Sequence, residues 1–151
     1  MAHDSQIQTF YAGQFRHSID EKNRITIPSR WRKGEAEDFI LLPDPQGRCL
    51  LVMSPVQFER TSMEATVDSG LPKSEQRAFS RQLHARAQHG AADKQGRLVL
   101  PEDTCRGLEL KGEVALVGGH GRFEIWNLQQ WTKAHEEETS TYQRVAHAIG
   151  L

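Results

Sequence analysis

Cysteine is nearly missing from this chain. Cys49 and Cys105 are its two cysteines, with no C-x-x-C pair, so neither a structural zinc nor a redox couple is expected, only two reduced thiols. Long apolar runs are missing too. Nothing approaches the roughly 20 residues of a membrane span, so no membrane partner is expected. The start, Met1-Ala2-His3-Asp4-Ser5-Gln6, is polar with no apolar core behind it; no secretory leader is expected, and the chain reads as cytoplasmic. Catalytic patterns are also lacking. There is no G-x-S-x-G, and Gly118-Gly119-His120-Gly121 is not followed by G-K-[ST]. It lies between two strand patterns and reads as a hairpin turn. The stretch His135-Glu136-Glu137-Glu138-Thr139 lacks the second histidine of a zincin helix. His84 and His89 are spaced so that one helical face does not carry both. These absences predict no enzyme activity, no cofactor or metal and no small-molecule substrate.

Net charge is nearly absent as well, at −1, yet its distribution is uneven. Residues 16–33 hold six basic side chains (Arg16, Lys22, Arg24, Arg30, Arg32, Lys33) against Asp20 and Glu21. Residues 77–97 hold five (Arg77, Arg81, Arg86, Lys94, Arg97) against Asp93. Acid gathers at Glu35-Ala36-Glu37-Asp38 and Glu136-Glu137-Glu138. A polyanion responds to the local field rather than to the sum. The alternative is an ordinary solvated surface.

What the chain does contain is a repeat. Asp20-Glu21-Lys22-Asn23-Arg24-Ile25-Thr26-Ile27-Pro28 returns as Asp93-Lys94-Gln95-Gly96-Arg97-Leu98-Val99-Leu100-Pro101, at an offset of 73 (93 − 20). Gly34 pairs with Gly107, Ser54 with Asn127 and Phe58 with Trp131 at the same offset. Such a period means a duplicated unit. Each copy reads in one order. An apolar approach (residues 14–19, more weakly 87–92) leads into the D-x-x-[NG]-R turn and a short alternating strand. A short helix follows, opened by Pro28 or Pro101 and closed by Gly34 or Gly107 at positive φ. A strand pair comes next, 39–42 with 49–53 or 114–117 with 122–126, and then a helix capped by Ser54 or Asn127. At this length each half would be marginal alone, so the halves are expected to interlock or the chain to oligomerise.

Asn23 and Gly96 fill one motif position and share one property, easy entry into the left-handed region. The motif is therefore read as a tight turn between strands, with Asp20 or Asp93 stiffening it by accepting backbone N–H bonds. Arg24 and Arg97 start the outgoing strands. Each can pair with its own aspartate as a turn staple, or project toward phosphate oxygens or the O6/N7 edge of guanine. Between the copies, residues 74–88 read as a helix with Phe79, Leu83 and Ala87 on one stripe. Arg77 and Arg81 share another face, suited to solvent, to a neighbouring subunit or to phosphate. Residues 127–147 read as an amphipathic helix, acidic in the middle and fit for a subunit contact or for solubility.

These residues resemble the MraZ family of bacterial regulators, whose chains carry two SpoVT/AbrB-type swapped-hairpin units marked by D-x-x-G-R-x-x-x-P. The marks here are Asp20, Arg24 and Pro28, then Asp93, Gly96, Arg97 and Pro101. Phe10-Tyr11-Ala12-Gly13, the segment from Glu75-Gln76-Arg77 through Leu83 to His89, and Leu116-Val117-Gly118-Gly119 with Phe123-Glu124-Ile125-Trp126 are similar as well. The first mark departs by carrying Asn23, a conformationally mild change. The resemblance implies an α+β fold of two tandem SpoVT/AbrB-like β-α-β units, interlocked as a pseudo-twofold β-barrel core with flanking helices. The expected division is an extension over 1–9, a first unit over 10–70, a linker helix over 71–89, a second unit over 90–135 and a helical tail over 136–151. The resemblance also implies a nucleoid-associated regulator that binds double-stranded DNA at short direct repeats in a promoter of the division and cell-wall gene cluster. A homo-oligomeric ring is implied with it. The DNA contacts carried over are Arg24 and Arg97, with Asp20, Asn23, Asp93 and Gly96 shaping the turns. Local charge adds Lys22, Lys94 and Arg16. The alternative is a ring-forming scaffold or an antitoxin-like module whose tract contacts protein.

Overall fold

The computed structural model describes residues 10–151. The extension over residues 1–9 lies outside the described residues. The first copy gives β1 (Gln14–Ser18), β2 (Arg24–Thr26), β3 (Glu37–Pro43), β4 (Cys49–Met53) and α1 (Pro55–Glu64). Helix α2 (Lys73–Arg86) leads to β5 (Gln88–Ala92), β6 (Arg97–Val99), α3 (Glu102–Gly107), β7 (Glu113–Val117), β8 (Arg122–Asn127) and α4 (Leu128–Ala148). In the first copy a single 3-10 turn, Ser29–Trp31, takes the place of α3.

The eight strands form one antiparallel sheet in the order β1-β7-β8-β4-β3-β5-β6-β2. Its ends, β1 and β2, touch each other, so the fold is an α+β, nearly closed barrel. Strands β1 and β7, β2 and β6, β3 and β5, and β4 and β8 pair across the two copies. Neither copy closes a sheet alone, which is how two short halves share one core. Exchanging the copies leaves the strand order unchanged. A pseudo-twofold axis therefore passes between β4 and β8 on one side of the barrel and between β2 and β6 on the other.

Alternation along the strands builds two apolar layers. Phe39, Leu41, Leu50, Val52, Phe123 and Ile125 point into the barrel with Ile25 and Leu98. Ile40, Leu42, Leu51, Met53 and Trp126 point outward, beneath Leu83 of α2, Phe58 of α1 and Trp131 of α4. Strands β3 and β4 are thus covered on both faces, which explains their uninterrupted apolar runs. Strands β2 and β6 differ. Ile25 and Leu98 are 0% exposed, while Val99 beside them is 53% exposed. The outer layer assembles over β3, β4, β7 and β8, so among the described residues the outer face of the β2·β6 pair stays open.

Several expectations need correction. Pro28 and Pro101 do not occupy the first helical position; each precedes its helical turn with extended ψ (141° and 138°). Gly34 lies at φ 87°, but Gly107 is an ordinary last residue of α3, and Glu109 takes φ 54° instead. The chain turns two residues later there because Leu110 N–H returns to the Cys105 carbonyl at 2.8 Å, the long bond of a Schellman ending. Helix α2 stops at Arg86, because Gln88 already pairs with Leu41 in the sheet. Of its expected stripe Leu83 is buried, while Phe79 is left 41% exposed. The Ser54 and Asn127 caps form, accepting from Gln57 N–H at 3.1 Å and Gln130 N–H at 3.0 Å.

Candidate nucleic-acid interface

The two motif turns have nearly the same geometry. Asp20 Oδ1 accepts from the backbone N–H of Lys22 at 2.9 Å and of Arg24 at 2.8 Å, and Oδ2 from Arg24 Nε at 2.8 Å. Asp93 Oδ1 accepts from Gln95 N–H at 3.0 Å and Arg97 N–H at 2.9 Å, and Oδ2 from Arg97 Nε at 2.8 Å. One carboxylate thus closes each turn and grips the side of its arginine. Both carboxyls are held below their ordinary value, first by the Arg24 or Arg97 backbone N–H. Partial desolvation opposes this, and the guanidinium with the second backbone N–H reinforces it. They stay ionised at neutral pH.

Asn23 sits at φ 59° and Gly96 at φ 81°. That conformation turns each carbonyl toward the opposite copy. Asn23 O accepts from Leu100 N–H and Gly96 O from Ile27 N–H, both at 2.8 Å. Each turn therefore ends the other copy's strand, and the two turns are fixed relative to one another.

Arg24 lies opposite Val99, Ile25 opposite Leu98 and Thr26 opposite Arg97. The flanking bonds make the 24/99 and 26/97 pairs non-hydrogen-bonded, the kind whose side chains come closest. Since Ile25 and Leu98 point inward, Arg24, Thr26, Arg97 and Val99 share the outer face. The two arginines stand diagonally across the ribbon, with Cα atoms about 7–8 Å apart. Staple and projection thus coexist: each Nε is tied to its aspartate while the Nη edge points away. Among the described residues the Arg24 Nη atoms have no hydrogen-bond partner, and Arg97 Nη2 has only a long 3.4 Å contact to Gln95 Oε1. Side-chain exposure is 28% for Arg24 and 41% for Arg97. A guanidinium held by one edge presents the other as a ready two-donor fork.

Lys22 and Lys94 are exposed at the turn tips, though not at equivalent positions; the offset matches Lys22 with Gln95 and Glu21 with Lys94. Arg16 lies elsewhere. It projects from β1 into the groove under α4, which Trp131, His135 and Glu136 also line. Among the described residues no cluster of His, Cys, Asp or Glu could hold a metal ion, and no helix is long and apolar enough to cross a membrane.

The family described as "MraZ protein, putative antitoxin-like" matches residues 10–82 and again residues 83–150. The chain belongs to the MraZ family. Among its relatives is the "Transcriptional regulator MraZ" of Natranaerobius thermophilus, 32% identical over 92% of this chain and 96% of the relative. Proteins of the same name from Symbiobacterium thermophilum (33%, covering 92% and 99%) and Pediococcus pentosaceus (35%, covering 92% and 96%) are similarly close. Each matched span holds one of the two motif turns, and the two turns meet on one ribbon.

Two features escaped the sequence reading. Thr26 and Val99 were read only as strand residues, yet they complete the outer face beside the arginines. Arg32 reaches across the copies, donating from Nη1 to the Gln95 carbonyl, with its Nε buried and unpartnered. A Cβ on Gly96 would lie 2.2 Å from Arg32 Cδ. A signal existed: position 32 corresponds to Cys105 at the repeat offset, so the copy with glycine in its turn is the one faced by the long arginine.

Proposed function

We propose that the chain is a transcriptional regulator that binds double-stranded DNA through the β2·β6 ribbon. The observation that carries this reading is the pair of Asp-stapled guanidiniums on one face of the barrel, which among the described residues no helix covers. A two-stranded ribbon fits the major groove, and an Arg fork fits guanine O6 and N7. Arg24 and Arg97 contact base edges, and Lys22 and Lys94 reach flanking phosphates. Arg16 plays a smaller part, from the groove under α4. The names of the relatives support the regulatory role. In the finer form of this proposal the target is a set of short direct repeats in a promoter of the division and cell-wall gene cluster, and the chain works at the nucleoid as a ring of like copies. Val56, Met63 and Val67 support self-association, since they are large, apolar and exposed along and just after α1.

The test is fluorescence anisotropy on duplexes selected by this chain from a random pool. Arg24→Ala and Arg97→Ala are each expected to weaken specific binding about 5- to 150-fold, the cost of one bidentate base contact. Circular dichroism and light-scattering mass should stay unchanged. Affinity equal to that of the unaltered chain, or affinity that does not fall with rising salt, would remove the ribbon from the interface.

A further inference from the structure

The outer face of the ribbon carries four side chains: Arg24 beside Val99, and Thr26 beside Arg97. The two halves of this face match under the pseudo-twofold axis except at one place, where the first copy has Thr26 and the second has Val99. The two side chains have nearly the same shape. One offers a hydroxyl, the other only methyl groups. Val99 is also 53% exposed while its strand neighbours Leu98 and Leu100 are at 0% and 1%. It therefore lies outside the core, and among the described residues no helix covers it. Val99 stands across from Arg24 and two residues from Arg97 on the same face, with about half of its surface free to meet apolar surface from outside.

Resting on the DNA-binding reading above, we propose that Val99 is a specificity-determining residue that packs against the 5-methyl group of a thymine next to the guanine engaged by Arg24. The 24/99 pair is a close, non-hydrogen-bonded pair, so its two side chains meet neighbouring base edges together. The thymine methyl is the one apolar group that a base pair displays in the major groove. Thr26 beside Arg97 presents a hydroxyl as well as a methyl and accepts a wider range of bases. The ribbon thus reads one end of its site more strictly than the other, and each chain carries a direction along the duplex.

The experiment uses the selected duplexes, with each thymine replaced in turn by deoxyuridine, which removes only the methyl. One replacement, at a thymine adjacent to the guanine whose substitution no longer matters in Arg24→Ala, is expected to weaken binding about fourfold, the value of one buried methyl. In Val99→Ser, binding of the thymine duplex is expected to fall about fourfold, to the level of the deoxyuridine duplex, so that the two bind equally at that position. Equal binding of all deoxyuridine and thymine duplexes by the unaltered chain would overturn the proposal, as would a penalty that persists in Val99→Ser. In either case salt-dependent, Arg24-dependent binding would leave the regulator reading standing. Failure of the chain to select any duplex would overturn both.

Discussion

Gly96→Ala and Asn23→Ala make the same kind of change at matching positions, and the structure predicts unequal costs. Both residues lie in the left-handed region, at φ 81° and 59°. An alanine there costs about 1–2 kcal/mol, with Asn23→Ala toward the lower end because its loss is chiefly asparagine's tolerance of that region. At Gly96 a second effect applies. The new Cβ would stand 2.2 Å from Arg32 Cδ and 2.8 Å from Arg32 Nε. Arg32 is long enough to swing aside, so the steric cost is limited to what that movement gives up. What is lost is the Arg32–Gln95 hydrogen bond between the copies, about 1 kcal/mol for a partly solvated pair. Gly96→Ala is therefore expected to cost about 2–3 kcal/mol and Asn23→Ala about 1 kcal/mol. Urea unfolding followed by fluorescence, with m-values compared, measures both. Combining Gly96→Ala with Arg32→Ala should cost about 1 kcal/mol less than the sum of the two, since the clash and the lost bond are then counted once. Equal costs at the two turns, or strict additivity with Arg32→Ala, would refute the idea that Arg32 dictates glycine in the second turn.

The aspartate staples set a pH dependence with a definite sign. Asp20 and Asp93 titrate below the ordinary value of 3.8. Their stabilisation is fully present above that value and fades as pH falls through the depressed one. Specific binding should therefore show no dependence on these groups from neutral pH down to about 5, and Asp20→Asn should weaken binding equally across that range; a titration of anisotropy against pH checks both. The thiols should be inert: burial pushes Cys49 up to about 12 and raises Cys105 as well. Ellman's reagent should label neither in the native chain within minutes and both after denaturation.

Much of the fold was legible because the repeat carries it. The D-x-x-[NG]-R marks located both turns, and the alternation of Ile25, Thr26 and Ile27 located one buried face. The cross-copy pairing was not readable from period alone, since a strand's own residues do not say whether its neighbour belongs to the same copy. The close of α3 was missed because Gly107 looked like the left-handed residue, while the Schellman bond places that role on Glu109. Phe79 was read as part of an apolar stripe and instead stands half open, because α2 buries only a narrow line against the barrel. At the site, charge drew attention to Arg16, which shares the basic segment but faces α4. Val99 carries no charge, and only the register of β2 with β6 shows that it stands beside Arg24.

The exchange of strands between copies is what brings the two turns onto one ribbon. Arg24 and Arg97 are 73 residues apart in the chain (97 − 24), and each sits at the start of a three-residue strand. Two such short strands would have little stability as separate edges. Paired to each other, with each turn's carbonyl closing the partner strand, they form a rigid ribbon whose side-chain alternation keeps both guanidiniums on the outside. A slip of one residue by either strand would turn that strand's arginine inward and its buried Ile25 or Leu98 outward, so burial of the Ile25 and Leu98 pair fixes the register that keeps both arginines on the outer face. Perfect twofold symmetry would make such a ribbon blind to direction along a duplex. Thr26 against Val99, Lys22 against Gln95 and Asn23 against Gly96 break that symmetry while leaving the staples alike. Under the proposed DNA-binding role, a ribbon built this way would suit sites that repeat head to tail, since every copy of the chain would then lie on the duplex in the same sense.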